Sequence, residues 1–215
     1  MKTSMLKERI KRVLDSMTKK SYLRWYQKAG LTSTLEYRGV RILKFVPDLW
    51  NYQEIILEYK ITNVIEFGSK FGGSAIYFAD ILKLFGTGGK VLCVDIKHNF
   101  ASETDRPDIQ KLIASSTSDI CRETVRIFRE KNPGNVFVII DSLHTKEHVY
   151  NELKLITPLL VKGDYLVIED GSSTNGMLES MEKFFEENST EYQHEKLREE
   201  KYGVTHAPYG YWIKK

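Results

Sequence analysis

Cysteine is scarce in this 215-residue chain: Cys93 sits in the apolar run Val91-Leu92-Cys93-Val94, and Cys121 in a polar segment with helical spacing. Both are expected as free thiols, which speaks against the disulfide framework of a secreted domain. No apolar run approaches the roughly 18 residues of a membrane-spanning helix. The N-terminal MKTSMLKERIK lacks the apolar core of a leader, so a cytoplasmic protein with no transmembrane segment is expected. Net charge is also low, at +3, too small to gather nucleic acid as a partner. Neither G-x-G-x-x-G nor G-x-x-x-x-G-K-[ST] occurs, which disfavours a dinucleotide pyrophosphate or a nucleoside triphosphate as ligand.

What is present is enough for one well-packed domain. Hydrophobic residues make up 41% and aromatics 12% of the chain, and at this size about 70% of the unfolded surface can be buried without staples. The small net charge hides an asymmetry. Residues 1–30 carry nine Lys/Arg against two acids, +7, and the remainder carries 23 against 27, −4. In the basic segment Leu6, Ile10, Val13, Leu14 and Met17 form an apolar stripe on a helix. It is expected to pack on the domain or on a sister subunit, forming a homo-oligomer through this helix; a membrane-surface or partner-docking helix is the alternative.

From residue 64 short apolar runs alternate with helical patterns. The runs are Val64–Phe67, Val91–Ile96, Leu112–Ala114, Val136–Ile140 and Tyr165–Ile168. Their continuous hydrophobicity suits parallel strands covered on both faces. Helices are expected over 73–85, over 118–131 with Ile120, Val125 and Phe128 as apolar positions, over 145–156, and over 177–187. A further strand near Tyr192–Leu197 and a last one at Tyr209–Ile213 complete a doubly wound, mostly parallel, seven-stranded α/β sheet. Residues 1–40 are read as a helical extension and 41–215 as the catalytic domain.

The first strand ends in Glu66-Phe67-Gly68-Ser69-Lys70-Phe71-Gly72-Gly73-Ser74, a glycine loop opening a helix. Glycines there let a ligand approach the backbone, and Ser74 or the helix N–H groups can hold a carboxylate. An acid two residues before the first glycine suits a positively charged ligand, such as the amino group of S-adenosylmethionine. The second strand ends in Asp95, placed to accept ribose hydroxyls. Ala114-Ser115-Ser116-Thr117 follows the third strand, where Ser116 can meet an adenine edge. Three consecutive strand ends thus offer the groups an adenosyl ligand needs.

Asp141-Ser142-Leu143-His144 follows the fourth strand and Glu169-Asp170-Gly171 the fifth. Asp141, Glu169 and Asp170 converge at neighbouring strand ends with no basic residue in either motif. Hard oxygen ligands of this kind suit Mg²⁺, which removes the like-charge cost of clustering them. His144 is placed to take a proton from a hydroxyl held there. His148 is read as a helix-flank residue. A two-histidine, one-carboxylate iron site from Asp141, His144 and His148 is a weaker reading, because it ignores Glu169 and Asp170.

With these residues assembled, the chain resembles the cephalosporin hydroxylase-like family, whose members adopt the class I S-adenosylmethionine-dependent methyltransferase fold. The matching stretches are Asp48–Ile56, Glu66–Gly68 through Gly72–Ser74, Asp141–Val149, Gly163–Asp170 and Tyr202–Tyr211. The resemblance implies Mg²⁺ at Asp141, Glu169 and Asp170, and the methyl donor at the glycine loop and Asp95. The arrangement is also similar to catechol O-methyltransferase, which has a lysine where this chain has His144, and to macrolide-sugar O-methyltransferases, which have histidine there. Ala114 departs from a glycine common in the family, and residues 1–30 match nothing in it. The segment His98–Ile109 is expected to be a lid or substrate loop.

The expected activity is therefore Mg²⁺-dependent O-methylation of a small-molecule acceptor, a sugar or natural-product hydroxyl. A nonheme metal-dependent hydroxylase, a dinucleotide oxidoreductase and a noncatalytic scaffold retaining the fold are the rivals.

Overall fold

A computed structural model describes residues 2–97, 99–171 and 176–215, with the side chains of the first helix from residue 13 onward. A long helix, α1 (Lys2–Lys28), leads through the one-turn α2 (Leu31–Thr34) into a hairpin of β1 (Glu36–Tyr37) and β2 (Val40–Arg41). Its turn residues, Arg38 and Gly39, both have positive φ, 53° and 80°, as a tight right-twisted hairpin requires. The chain continues through α3 (Val46–Glu58), β3 (Ile61–Phe67), α4 (Gly73–Leu84), β4 (Val91–Asp95), β5 (Ile109–Ile113) and α5 (Asp119–Lys131). It closes with β6 (Asn135–Ile140), α6 (Lys146–Ile156), β7 (Tyr165–Ile168), α7 (Met177–Glu187), β8 (Tyr192–His194), α8 (Lys196–Glu200) and β9 (Tyr211–Lys214).

Seven strands form one sheet in the order β5-β4-β3-β6-β7-β9-β8. The first five are parallel, and β9 runs antiparallel between β7 and β8. The chain winds outward from β3 to β5 and then returns to lay β6 against the other side of β3. Strand order reverses there, and at such a point loops diverge and leave a crevice at the strand C-termini. One face of the sheet is covered by Cys121, Val125 and Phe128 of α5, Val149, Leu153 and Ile156 of α6, and Met177, Met181 and Phe184 of α7. Tyr52, Ile55 and Ile56 of α3 and Ala75, Phe78 and Leu82 of α4 cover the other. The doubly wound expectation holds.

Several boundaries differ from expectation, each for a physical reason. Strand β5 begins at Ile109 and ends at Ile113, not Ala114. It is an edge strand in which only Ile109 is buried, so it carries no continuous apolar run. The segment expected as a lid therefore ends in this strand and contains a 3₁₀ turn, Ser102–Thr104; His98 lies outside the described residues. In α5 the buried stripe is Cys121, Val125 and Phe128, and Ile120 is exposed. Strand β8 stops at His194, because α8 takes over from Lys196.

Helix α1 docks through aromatic residues: Tyr26 meets Phe45 edge-on at 4.8 Å, and Tyr22 meets Phe45 at 6.4 Å. Val13, Leu14 and Met17 of the anticipated stripe are more than half exposed, so this part of the stripe does not pack on the domain. The side chains of Leu6 and Ile10 lie outside the described residues.

Candidate active site

The ladder of the central strands continues one step into the loops: Gly68 donates to Val94, Asp141 to Phe67 and Glu169 to Ile140, backbone to backbone. This continuation fixes the strand-end residues side by side. A Cβ on Gly68, which has φ 95°, would lie 2.0 Å from the Asp141 carbonyl oxygen, so only glycine permits that approach. Beyond the strand ends opens a cleft of about 910 Å³, with Gly68, Ser74, Asp95, Ser116, Asp141, His144, Glu169 and Asp170 on its wall. A second cleft, of about 640 Å³, lies away from the strand ends, where Arg106 pairs with Asp80 and Asp108.

On the β3–β4–β5 side the site is shaped by backbone. Asp95 accepts from the N–H groups of Lys70 at 2.8 Å and Lys97 at 3.0 Å, which hold the carboxylate at the cleft rim. Ser116 lies deeper, with its Oγ 3.0 Å from Nε2 of His148. His148 is therefore more than a helix-flank residue: its ring turns into the cleft and also lies 3.5 Å from the fully buried Glu152. Gly72 and Gly73 are not on the cleft wall. Gly72 turns the loop into α4, and Gly73 lets the first turn of α4 pack on the Arg41 backbone, where a Cβ would lie 2.3 Å from the carbonyl oxygen.

The β6–β7 side is held by buried charge, and its centre is a residue that sequence reasoning missed. The Lys44 ammonium, on a side chain only 2% exposed, lies 2.6 Å from Asp141 Oδ2, 2.8 Å from Glu169 Oε1 and 3.1 Å from Glu66 Oε1. Glu66 is fully buried beneath the cleft floor and accepts from the Ser74 hydroxyl at 2.7 Å. The cation that meets it here is thus internal. Tyr52 donates to Glu169 Oε1 at 3.0 Å. His144 stands between two acids, its Nε2 3.1 Å from Asp141 Oδ1 and its Nδ1 3.4 Å from Asp170 Oδ2. Asp170 holds φ 57°, a left-handed conformation unusual outside glycine that turns its carboxylate toward this group.

His206, also missed, comes from the loop before β9, stacks on Phe45 at 4.4 Å and brings Nδ1 to 3.9 Å from Asp170 Oδ1. Its loop is anchored by Asp48 of α3, which accepts from Thr205, from the His206 N–H and from Tyr211. Lys44 and His206 follow no strand of the seven-stranded sheet, so reasoning from its strand ends does not reach them. The usable signal was their position beside Asp48–Ile56 and within Tyr202–Tyr211, two of the stretches that carry the family resemblance.

Burial would lower the Lys44 pKa, but the charges of Asp141, Glu169 and Glu66 outweigh it and hold Lys44 as an ammonium. Burial, reinforced by the Asp141 charge, pushes Glu169 well above the usual carboxylate range, and the same two causes raise Asp170. Against its own burial, Asp141 is held below that range by Lys44 and His144. The hydrogen bond to Asp141 raises His144, with the charges of Asp141 and Asp170 adding to it against burial.

These shifts bear on whether the residues fit a divalent cation. Ligand atoms of Asp141, His144 and Asp170 all lie within 4.8 Å of one another; Glu169, expected as the third carboxylate ligand, lies outside this group, with its Oε1 held by Lys44 and Tyr52. One lysine does not neutralise the acids gathered here, so Glu169 and Asp170 resist ionisation. A doubly charged ion removes that resistance, and the donor set is the oxygen-rich one that Mg²⁺ takes. The iron-site reading fails on geometry, because the His148 ring is engaged with Ser116 and lies outside the group around Asp141.

Comparison with known proteins agrees with this geometry. The family model described as rhamnosyl O-methyltransferase/CmcI matches residues 29–215. A rhamnosyl O-methyltransferase of Mycobacterium leprae is 39% identical over 216 residues, covering 96% of this chain and 94% of that protein. The rhamnosyl O-methyltransferase of Mycobacterium tuberculosis is 39% identical over 204 residues, covering 90% and 83%. A solved structure of CmcI with Mg and SAM shares the fold, with a TM-score of 0.70, 21% identity, and coverage of 85% of this chain and 77% of that one.

Proposed function

The chain belongs to the rhamnosyl O-methyltransferase/CmcI family, and from that premise we propose that it methylates a ring hydroxyl of a rhamnose-type sugar, using S-adenosylmethionine and Mg²⁺. The observation that carries the reading is the convergence of Asp141, His144 and Asp170 on one point of the cleft, beside the glycine loop.

Asp95 accepts the ribose hydroxyls of the donor, with its two oxygens already fixed by backbone N–H groups. Ser116 meets the adenine edge, and the Gly68 loop lets the donor lie against the backbone. Ser74 and Glu66 brace the loop from beneath, while Gly72 and Gly73 set its turn. Asp141 and Asp170 would hold the metal, with Glu169 reaching it through Oε2, the oxygen outside its contacts with Lys44 and Tyr52. When bound, the ion polarises the acceptor hydroxyl as a Lewis acid. His144 accepts the hydroxyl proton, for which its ring lies at the mouth of the acid group. The acceptor oxygen forms its bond to the methyl carbon as the carbon–sulfur bond breaks, and sulfur leaves as a neutral thioether. Most of the acceleration comes from holding the two reactants together.

Residues 41–215 carry this activity, and 1–40 are an accessory extension whose exposed Val13, Leu14 and Met17 support association with a second copy. Two buried free thiols support a reducing, cytoplasmic setting.

The test is methyl transfer from labelled S-adenosylmethionine to a panel of rhamnosides, other hexosides and catechols. Rhamnosides should be the best acceptors. Preferential labelling of catechols, or no labelling of any sugar, refutes the substrate assignment.

A further inference from the structure

Lys44 touches both halves of the site. It lies between the hairpin and α3, and it reaches acids that close three strands: Glu66 of β3, Asp141 after β6 and Glu169 after β7. The arrangement divides the oxygens. Asp141 presents Oδ2 to Lys44 at 2.6 Å and keeps Oδ1 on the His144 side. Glu169 gives Oε1 to both Lys44 and Tyr52, leaving Oε2 outside those two contacts. Lys44 is 2% exposed and lines the cleft with its ammonium held among these acids.

We propose that Lys44 is a positioning residue that clamps one oxygen of Asp141 and one of Glu169, so that Asp141 keeps Oδ1 toward the divalent-cation site, with Glu169 held beside it, before the ion arrives. The inference rests on the metal reading above. Carboxylates crowded without a cation repel, and they either move apart or take up protons. A fixed ammonium counters both responses. Its compact charge can meet three carboxylates at once, whereas the planar fork of arginine is shaped for one or two. Groups that orient metal ligands in this way typically account for about 10- to 100-fold in metal affinity. The contact with Glu66 ties the same clamp to the strand that opens the glycine loop. Lysine thereby joins the floor of the donor half to the metal half without entering the reaction.

The opposite role, a lysine that competes with the ion for the same acids, makes the opposite prediction, and calorimetry separates the two. Mg²⁺ is titrated into metal-free wild-type protein and into Lys44→Met, with S-adenosylmethionine titrated separately without metal. Lys44→Met should bind Mg²⁺ at least about tenfold more weakly, with a smaller change in donor affinity than in metal affinity. Equal or tighter Mg²⁺ binding by the variant overturns the proposal. A wild-type protein that binds no Mg²⁺ strikes the metal reading itself, which is a distinguishable failure.

Because Lys44→Met leaves buried acids without their partner and can fail to fold, a crystal structure of the Mg²⁺-loaded wild-type protein provides a second decision. Lys44 should remain within ion-pair distance of both Asp141 and Glu169 beside the bound ion. A Lys44 displaced from either acid by the ion overturns the clamp.

Discussion

The two halves of the cleft are built by different means. The half proposed for the methyl donor is a matter of backbone: Gly68 at the strand end, N–H groups fixing Asp95, and Ser116 in a loop. The half proposed for the metal is a matter of clustered charge, with Asp141 and Glu169 against Lys44 and with Asp141 and Asp170 against His144. A backbone-shaped surface loses one contact when one side chain is removed. A charge cluster is balanced as a whole, so one removal disturbs every member. Substitutions in the metal half should therefore lower the rate sharply, and those in the donor half should mainly weaken donor binding.

Asp141→Ala should give the largest effect. It removes a carboxylate shared by Lys44, His144 and the proposed ion site, and metal-stimulated turnover in a labelled-methyl assay should fall by about 10³-fold or more, a scale typical of losing stabilisation of developing charge. His144→Ala should lower kcat by about 10²-fold, as for a lost general base, while the calorimetric affinity for S-adenosylmethionine changes little. An unchanged kcat removes His144 as the base. Asp95→Ala, in the other half, should raise the donor Kd by about tenfold through the loss of charge-assisted hydrogen bonds, with a smaller effect on kcat at saturating donor. A variant whose kcat falls as far as that of His144→Ala would erase the contrast between the halves.

A pH series sharpens it further. In the metal-free protein the His144 pKa is raised above 6.5 by Asp141. The stability from that pair is fully present below the unfolded-state value and is lost as pH rises through the higher folded value. Metal-free wild type should therefore lose Tm relative to His144→Asn as pH rises above about 6.5, in a calorimetric scan. A flat difference across that range contradicts the pairing. The smallest effect belongs to α1: Met17→Glu, on an exposed position, should change monomer stability by no more than about 0.5 kcal/mol. It should, however, reduce any self-association seen by analytical ultracentrifugation.

Both halves were legible in the sequence where their residues sit at the ends of buried strands. Buried parallel strands read as continuous apolar runs, so the ends of β3, β4, β6 and β7, and hence Glu66, Asp95, Asp141 and Glu169, follow directly. Edge strand β5 was harder to place because its pattern is half solvent-facing. Lys44 looks like any lysine until folding brings Glu66, Asp141 and Glu169 to it, from 22, 97 and 125 residues away. His206 is hidden in the same way, since its place depends on Asp48 gripping a distant loop. His148 has the spacing of a flank residue, and only the position of Ser116 turns it inward. Motifs at strand ends can be read locally, whereas a balanced charge cluster exists only in the assembled fold.

Methyl transfer, as proposed, depends on a divalent ion held at Asp141. The most direct measurement is transfer of labelled methyl from S-adenosylmethionine to a rhamnoside by the chelator-stripped protein, with and without added Mg²⁺, for wild type and Asp141→Ala. Wild-type activity should vanish on stripping and return with Mg²⁺, and Mg²⁺ should not restore Asp141→Ala. Full activity of the stripped wild type, or of Asp141→Ala in chelator, would contradict this dependence.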